Sequence, residues 1–337
     1  MRLPASPFLL TLLAAWFAFA NLARAEVFAA IEPRFGRERY IEYRPGDMPL
    51  ILVAGHGGDL SPDELPDRTW GSRGTDRHTR EIALATYDEI VALTGGLRPH
   101  VVICHLRRRK LDVNRPLEEA AQGNALSGQA WHEFHDFIAE ARAAVIAAHG
   151  RGLLIDVHGH GHEIPRIELG YALGREELDR PDPELDQAEY VALSTLRPLA
   201  RSRPELALSD LVRGPDSLGA LLTRAGYPAW PSPAWPRIGD AEFYRGGYIV
   251  RVHSRAGAAD AVSAVQIELP YPGMRDTEAN RARLSATLAA TLLHYLNNPA
   301  TYAFALPGPA SPFEEDDIAG CEDACAPLVS TSAPAPR

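Results

Sequence analysis

The chain has 337 residues, of which 46% are hydrophobic and 23% charged, which is ample material for one large domain with its own core. Its net charge of −10 at pH 7 argues against nucleic acid or an anionic membrane as a partner.

The first element in chain order is a targeting segment. Arg2 gives a basic start, residues 8–20 are apolar except for Thr11, and Ala23-Arg24-Ala25 is a small-x-small cleavage site. The apolar run is too short to span a bilayer. Residues 1–25 therefore read as a signal peptide cut before Glu26. The mature chain is expected to be exported, periplasmic or secreted, and without a membrane partner. Residues 26–310 read as a single domain. Residues 311–337 are acidic and rich in Pro and Ala, with few apolar side chains to offset ordering entropy, so a weakly ordered tail is expected. Cys321 and Cys325 lie in it and could close a small loop in an oxidising compartment.

Within the domain the pattern alternates. Residues 50–54 form a β-branched apolar run, a strand. Residues 77–94 carry helical periodicity, with Asp76 placed as N-cap. Residues 100–104 are a second strand. Residues 130–148 are a helix with Trp131, Phe134, Phe137, Ile138 and Ala141 on its inner face. Residues 153–157 are a third strand, and 167–173 could be another. Residues 174–240 are rich in Pro and in short helical pieces that the pattern does not order. Residues 248–252 and 264–269 read as strands, and 277–296 as a long closing helix. Strand, helix, strand, helix, strand requires parallel crossovers. The fold class is α/β in three layers, with a central mixed, mostly parallel sheet covered by helices on both faces.

Three of these strands end in chemistry, at His56-Gly57-Gly58, at Asp156-Val157-His158-Gly159-His160, and at Gln266-Ile267-Glu268. Strand ends are where an open α/β sheet places its ligands. Two histidines and an acid would suit a catalytic metal, and Glu268 would serve as its general base. A lone histidine at such a place is more often structural; two of them beside a buried glutamate are harder to read that way. The bland reading of Glu268 is an ion pair, with Arg275 as the nearest cation in sequence. Asp156, two residues before His158, shares its strand face and fits a second tier behind the metal ligand. The third ligand stays open between Asp76 and Asp59. The basic stretch from Arg107 to Arg115 holds the chain's only lysine, Lys110. A guanidinium there can stabilise an oxyanion or clamp a carboxylate. No G-x-S-x-G elbow appears, so a serine hydrolase lacks support.

In this order and spacing the motifs resemble the N-formylglutamate amidohydrolase family, itself similar in fold to zinc carboxypeptidases and aspartoacylase-type deacylases. The matching pieces are His56-Gly57-Gly58, Asp76-x-x-Thr79, Arg108-x-Lys110-x-Asp112-x-Asn114-Arg115, Asp156-x-His158-Gly159, Gly246-Gly247-Tyr248 and Gln266-Ile267-Glu268-Leu269. The resemblance implies one Zn2+ per chain held by His56, His158 and an acid between them. It favours Asp76 for that acid, although the His56-x-x-Asp59 spacing fits the carboxypeptidase pattern. It implies Asp112 behind a metal histidine, Asn114 and Arg115 gripping a substrate carboxylate, Arg108 on the oxyanion and Glu268 as general base. His160 and Tyr248 are expected in the substrate pocket. N-formylglutamate breakdown is cytoplasmic, so an exported chain points to another amide: an N-acyl amino acid or a short peptide with a free carboxylate. The competing class is an exported ligand-binding protein without turnover.

Overall fold

The computed structural model describes residues 32–255 and 261–308. The signal peptide, the tail, Cys321 and Cys325 lie outside the described residues. Eight strands form one sheet: β1 (Arg34–Phe35), β2 (Ile41–Arg44), β3 (Leu50–Ala54), β4 (His100–Cys104), β5 (Gly152–His160), β6 (Ile167–Gly170), β7 (Ala229–Trp230) and β8 (Val262–Pro270). Their order is β1-β2-β4-β3-β5-β8-β6-β7. The four central strands β4, β3, β5 and β8 are mutually parallel, and antiparallel pairs flank them at β2–β4 and β8–β6. The expected mixed sheet is present, with its parallel part in the middle, where both faces are buried.

Alternation along each strand divides the core in two. Leu50, Leu52, Val101, Ile103, Leu153 and Ile155 face one side, against α1 (Thr79–Thr94) and a long closing helix, α4 (Glu278–Asn297). Ile51, Val53, Val102 and Leu154 face the other, against α2 (Ala125–His149) and α3 (Tyr248–His253). By the same period of two, Asp156 and His158 follow Leu154, and Gln266 and Glu268 follow Ala264. All four side chains therefore emerge on the α2/α3 face at the carboxyl ends of the parallel strands.

Three expectations change. The run 248–252 is helix α3 rather than a strand. Five apolar residues do not distinguish the two by pattern, and both edges of β8 are already taken, by β5 and β6. Gly246, at φ 108°, turns the chain into α3. Asp76 is not the N-cap of α1, which starts at Thr79 after His78 at φ 69°. Helix α2 starts at Ala125, five residues earlier than expected, because Asn124 caps it by accepting from Ser127 N–H. The segment 174–240 folds into helices of four to seven residues that thicken the α1/α4 layer through Leu178, Leu185, Leu199 and Leu221. Helices that short carry too few turns for a 3.6-residue period to show.

Candidate active site

His56 leaves the end of β3 through two glycines that admit no side chain. A Cβ on Gly57 would lie 2.5 Å from Arg80 N, and one on Gly58 would lie 2.3 Å from the His105 carbonyl. The chain then returns so that Asp76 N–H donates to the His56 carbonyl at 3.0 Å. Thr79 N–H and Oγ1 both engage the Asp76 carbonyl, at 3.3 and 2.9 Å. This pins Asp76 before α1 with its carboxylate free for other work, which is the structural content of the Asp76-x-x-Thr79 spacing.

That carboxylate meets two buried imidazoles. Asp76 Oδ2 is 3.4 Å from His56 Nδ1 and 3.0 Å from His158 Nδ1. On their far sides both rings donate from Nε2 to buried aspartates: His56 to Asp112 Oδ1 at 2.7 Å, His158 to Asp156 Oδ2 at 2.9 Å. A carboxylate only accepts, so each ring donates from Nε2; both Nδ1 atoms face the same Asp76 oxygen, and that of His158 is close enough to donate to it as well. Among the described residues, the buried Nδ1 of His56 has no hydrogen-bond partner. Burial opposes ionisation of Asp76, but the hydrogen bond from His158 and the neighbouring His56 ring outweigh it and hold the carboxyl well below the usual range. Burial likewise opposes charge on His158, and Asp156 and Asp76 overcome it, raising its pKa well above the ordinary value.

Asp112 gathers the basic loop after β4. Its Oδ1 also accepts from Asn114 N–H at 3.1 Å; its Oδ2 accepts from Arg108 Nε at 2.8 Å and stands 3.7 Å from Arg68 Nη1. Burial would raise its pKa, but His56 and then Arg108 pull it far down. Arg108 extends toward Asp76, with Nη1 3.9 Å from Oδ1.

Glu268 is reached through two amides whose orientation the backbone dictates. Ile249 N–H donates to Asn114 Oδ1 at 2.8 Å, and Gly247 N–H donates to Gln266 Oε1 at 2.7 Å. Asn114 Nδ2 then faces Gln266 Oε1 at 3.3 Å, and Gln266 Nε2 donates to Glu268 Oε1 at 2.8 Å. Glu268 Oε2 is left buried and without a partner among the described residues. Burial raises the Glu268 pKa; His158 opposes this while Asp76, Glu168 and Asp156 add to it, and the result is about 8. Gly247 is required here, because a Cβ on it would meet Asn114 Nδ2 at 2.2 Å.

A cavity of about 740 Å³ opens over these groups and is lined by His56, Asp76, Arg108, Arg115, His158 and Glu268, with Tyr244, Arg245 and Arg251 on its outer wall. Several expected residues take other places. Asp59 is exposed and paired with Arg80 at 3.0 Å, away from the histidines. Tyr248 turns its ring to Trp131 and His135 and does not line the cavity; Tyr244 does. Asn114 lines the cavity, with its side chain on Ile249 N–H and Gln266 Oε1 and Nδ2 3.3 Å from His158 Nε2. Arg115 lies at the wall, with Nε on Glu119 and Nη1 on the Asn114 carbonyl. His160 borders the cavity, but Nε2 donates to the Arg166 carbonyl and Nδ1 accepts from His162 N–H. Arg275 bonds the carbonyls of Leu269, Arg77 and His160 rather than Glu268. Lys110 holds Leu65 O and Asp67. Sequence reasoning missed Gln266, Arg68 and the cavity residues Tyr244, Arg245 and Arg251. Gln266 was detectable, since it precedes Glu268 by one strand period; Arg68 sits in an irregular loop that gives no signal.

No protein-family profile and no curated protein matches the chain. Among solved structures it is similar to the gene product Atu2144 from Agrobacterium tumefaciens, at 14% identity and TM-score 0.48, covering 78% of this chain and 98% of that one. It is similar to N-formylglutamate amidohydrolase from Ralstonia eutropha JMP134, at 14% identity and TM-score 0.45, covering 75% and 96%. It is also similar to the succinylglutamate desuccinylase from Chromobacterium violaceum, at 15% identity and TM-score 0.37, covering 81% and 71%. All three lie below 25% identity and a TM-score of 0.5, so the chemistry of the site is taken from its own side chains.

Proposed function

We propose that this chain is a metal-dependent hydrolase of amide bonds, with His56, Asp76 and His158 holding one zinc ion and Glu268 acting as general base. One observation carries the reading: two buried imidazoles, each tied at Nε2 to a buried aspartate, aim Nδ1 at the same Asp76 oxygen. Atoms about 2.0–2.1 Å from a tetrahedral zinc lie roughly 3.3 Å apart, close to the 3.0 and 3.4 Å separations here. The donor set of nitrogen and carboxylate oxygen suits that ion, and the orphaned His56 Nδ1 gains a partner. When bound there, zinc supplies a Lewis acid and brings the pKa of a water to about 7.

The remaining steps belong to the chain. Asp112 and Asp156 hold the two rings in the tautomer that presents Nδ1. In its ionised form, populated above its pKa of about 8, Glu268 is held at Oε1 by Gln266 and offers Oε2 to take a proton from the attacking water and pass it to the leaving nitrogen. Arg108, anchored at Nε by Asp112, is placed to stabilise negative charge on the carbonyl oxygen. Arg115 supplies a cation for a free substrate carboxylate. The motif order that resembles the N-formylglutamate amidohydrolase family supports the same chemistry. The signal-like start supports an exported enzyme acting on an N-acyl amino acid or short peptide.

The test is hydrolysis by the mature chain, stripped with chelator and reloaded with zinc. N-acyl amino acids and short peptides are compared with their C-terminal amides. Activity restored by zinc, and higher on the free acids, is expected. A fully zinc-loaded protein that cleaves nothing would leave a binding protein.

A further inference from the structure

A second cavity adjoins the one over Glu268. The segment 241–247 forms the wall between them, and the second cavity, of about 500 Å³, is bordered by Gly174, Glu176 and Ile238. Phe243 and Arg245 line both cavities. A space of about 300–1,000 Å³ encloses a drug-sized ligand. The inner cavity alone meets that size, and the outer one adds room that a single acylated amino acid leaves unfilled.

The junction is cationic. Arg115, Arg245 and Arg251 all line the inner cavity. Burial, followed by the charges of Arg245 and Arg115, lowers the Arg251 pKa. Arg115 has Glu119 as counter-ion, and Arg251 donates to the Gly247 carbonyl. Arg245 is exposed and has neither hydrogen bond nor ion pair from its side chain among the described residues. Glu176, Glu177 and Glu242 border the outer cavity, with Glu177 committed to Gly174 N–H. The outer space is thus mixed in charge, and the unmatched cation stands at the junction. An anionic group lodged there would relieve the repulsion among the guanidiniums and give Arg245 a partner.

On the hydrolase reading above, we propose that the substrate is a peptide-like chain longer than one acylated amino acid, with an acidic group bound by Arg245 and Arg251 where the two cavities meet. The zinc-loaded mature protein is assayed on N-acyl peptides of one, two and three residues. The added residue is Glu or its neutral isostere Gln, on either side of the scissile amide. For one of the two directions, the Glu peptide is expected to exceed the Gln peptide in kcat/KM by about tenfold, the scale of one charge-assisted hydrogen bond, with the gain in KM. Arg245→Gln should bring that ratio to about one, and Arg245→Glu should invert it. Arg283→Gln, on exposed α4 surface, should leave it alone. Zinc content and melting temperature verify that each variant is folded. Equal rates for Glu and Gln peptides in the wild type, or an unchanged ratio in Arg245→Gln, overturn the proposal. If single-residue substrates are cleaved but extension gains nothing, only this inference falls. If nothing is cleaved with zinc bound, the hydrolase reading falls and takes this inference with it.

Discussion

Replacing Asp112 by Asn tests whether the second tier is built from carboxylates for a reason. Every polar neighbour of Asp112 is a donor: His56 Nε2 at 2.7 Å and Asn114 N at 3.1 Å on one oxygen, Arg108 Nε at 2.8 Å on the other, with Arg68 Nη1 at 3.7 Å. A carboxylate accepts from all of them. An amide has one accepting end, so either orientation sets an NH₂ group against donors and removes the Asp112 counter-charge from the two arginines. Breaking a buried charge pair costs about 3–5 kcal/mol. Losing the carboxylate behind a metal histidine costs about 10–100-fold in metal affinity. Asp156→Asn is the internal comparison. Asp156 Oδ2 accepts from His158, whereas Oδ1 is buried with no partner among the described residues. There the amide oxygen can keep the histidine, and the NH₂ group displaces no donor. Its cost is one unsatisfied buried donor, about 1–3 kcal/mol, together with the counter-charge lost to His158, and no arginine is involved. Urea unfolding of the zinc-free proteins, together with zinc competition against a chelating dye, measures both effects. Asp112→Asn should be the less stable variant, and both should bind zinc more weakly than wild type. Equal stability of the two variants, or wild-type stability in Asp112→Asn, would refute the reasoning.

Other outcomes follow from the same geometry. Glu268→Gln should fold and retain zinc but lose about 10²-fold or more in kcat, the range of general acid–base groups; single-turnover and steady-state rates check this, and undiminished turnover removes Glu268 from the mechanism. Arg115→Lys should raise KM more than it lowers kcat, since charge is kept and the planar fork is lost; an unchanged KM for free acids would show that the carboxylate binds elsewhere. Stability should fall in mild acid. His100 and His135 are buried, and burial pushes both pKa values down to about 4. Between about 6.5 and 4 the unfolded chain binds the extra protons, so this stability is complete above pH 6.5 and is lost as pH falls toward 4. The slope is about 1.4 kcal/mol per pH unit for each histidine. Urea midpoints measured from pH 7 to 4.5 would contradict it by staying flat.

The parts of the site legible in sequence are those governed by strand period. His158 and Asp156, like Glu268 and Gln266, are two residues apart on buried strands, and the period of two assigns each pair to one face. Asp76 was placed correctly before a helix but for the wrong local reason. Its side chain is released from capping by a left-handed His78, and no pattern of apolar residues encodes that. Asn114 shows a second limit. Its type suits a substrate clamp, yet the chain entering α3 brings Ile249 N–H onto its oxygen, and this long-range approach depends on Gly247 having no side chain. Residues 174–240 escaped because their short helices take their order from packing on the sheet. The apolar run at 248–252 was misread because only the occupancy of both β8 edges decides between strand and helix.

The central claim is that His56, Asp76 and His158 form one metal site. Metal content after saturation and gel filtration tests it, measured on the wild type beside Asp76→Ala and Asp59→Ala. About one zinc per chain is expected in the wild type and in Asp59→Ala, whose carboxylate is exposed and paired with Arg80, with loss in Asp76→Ala. Full zinc content in Asp76→Ala, or none in the wild type, would contradict the account.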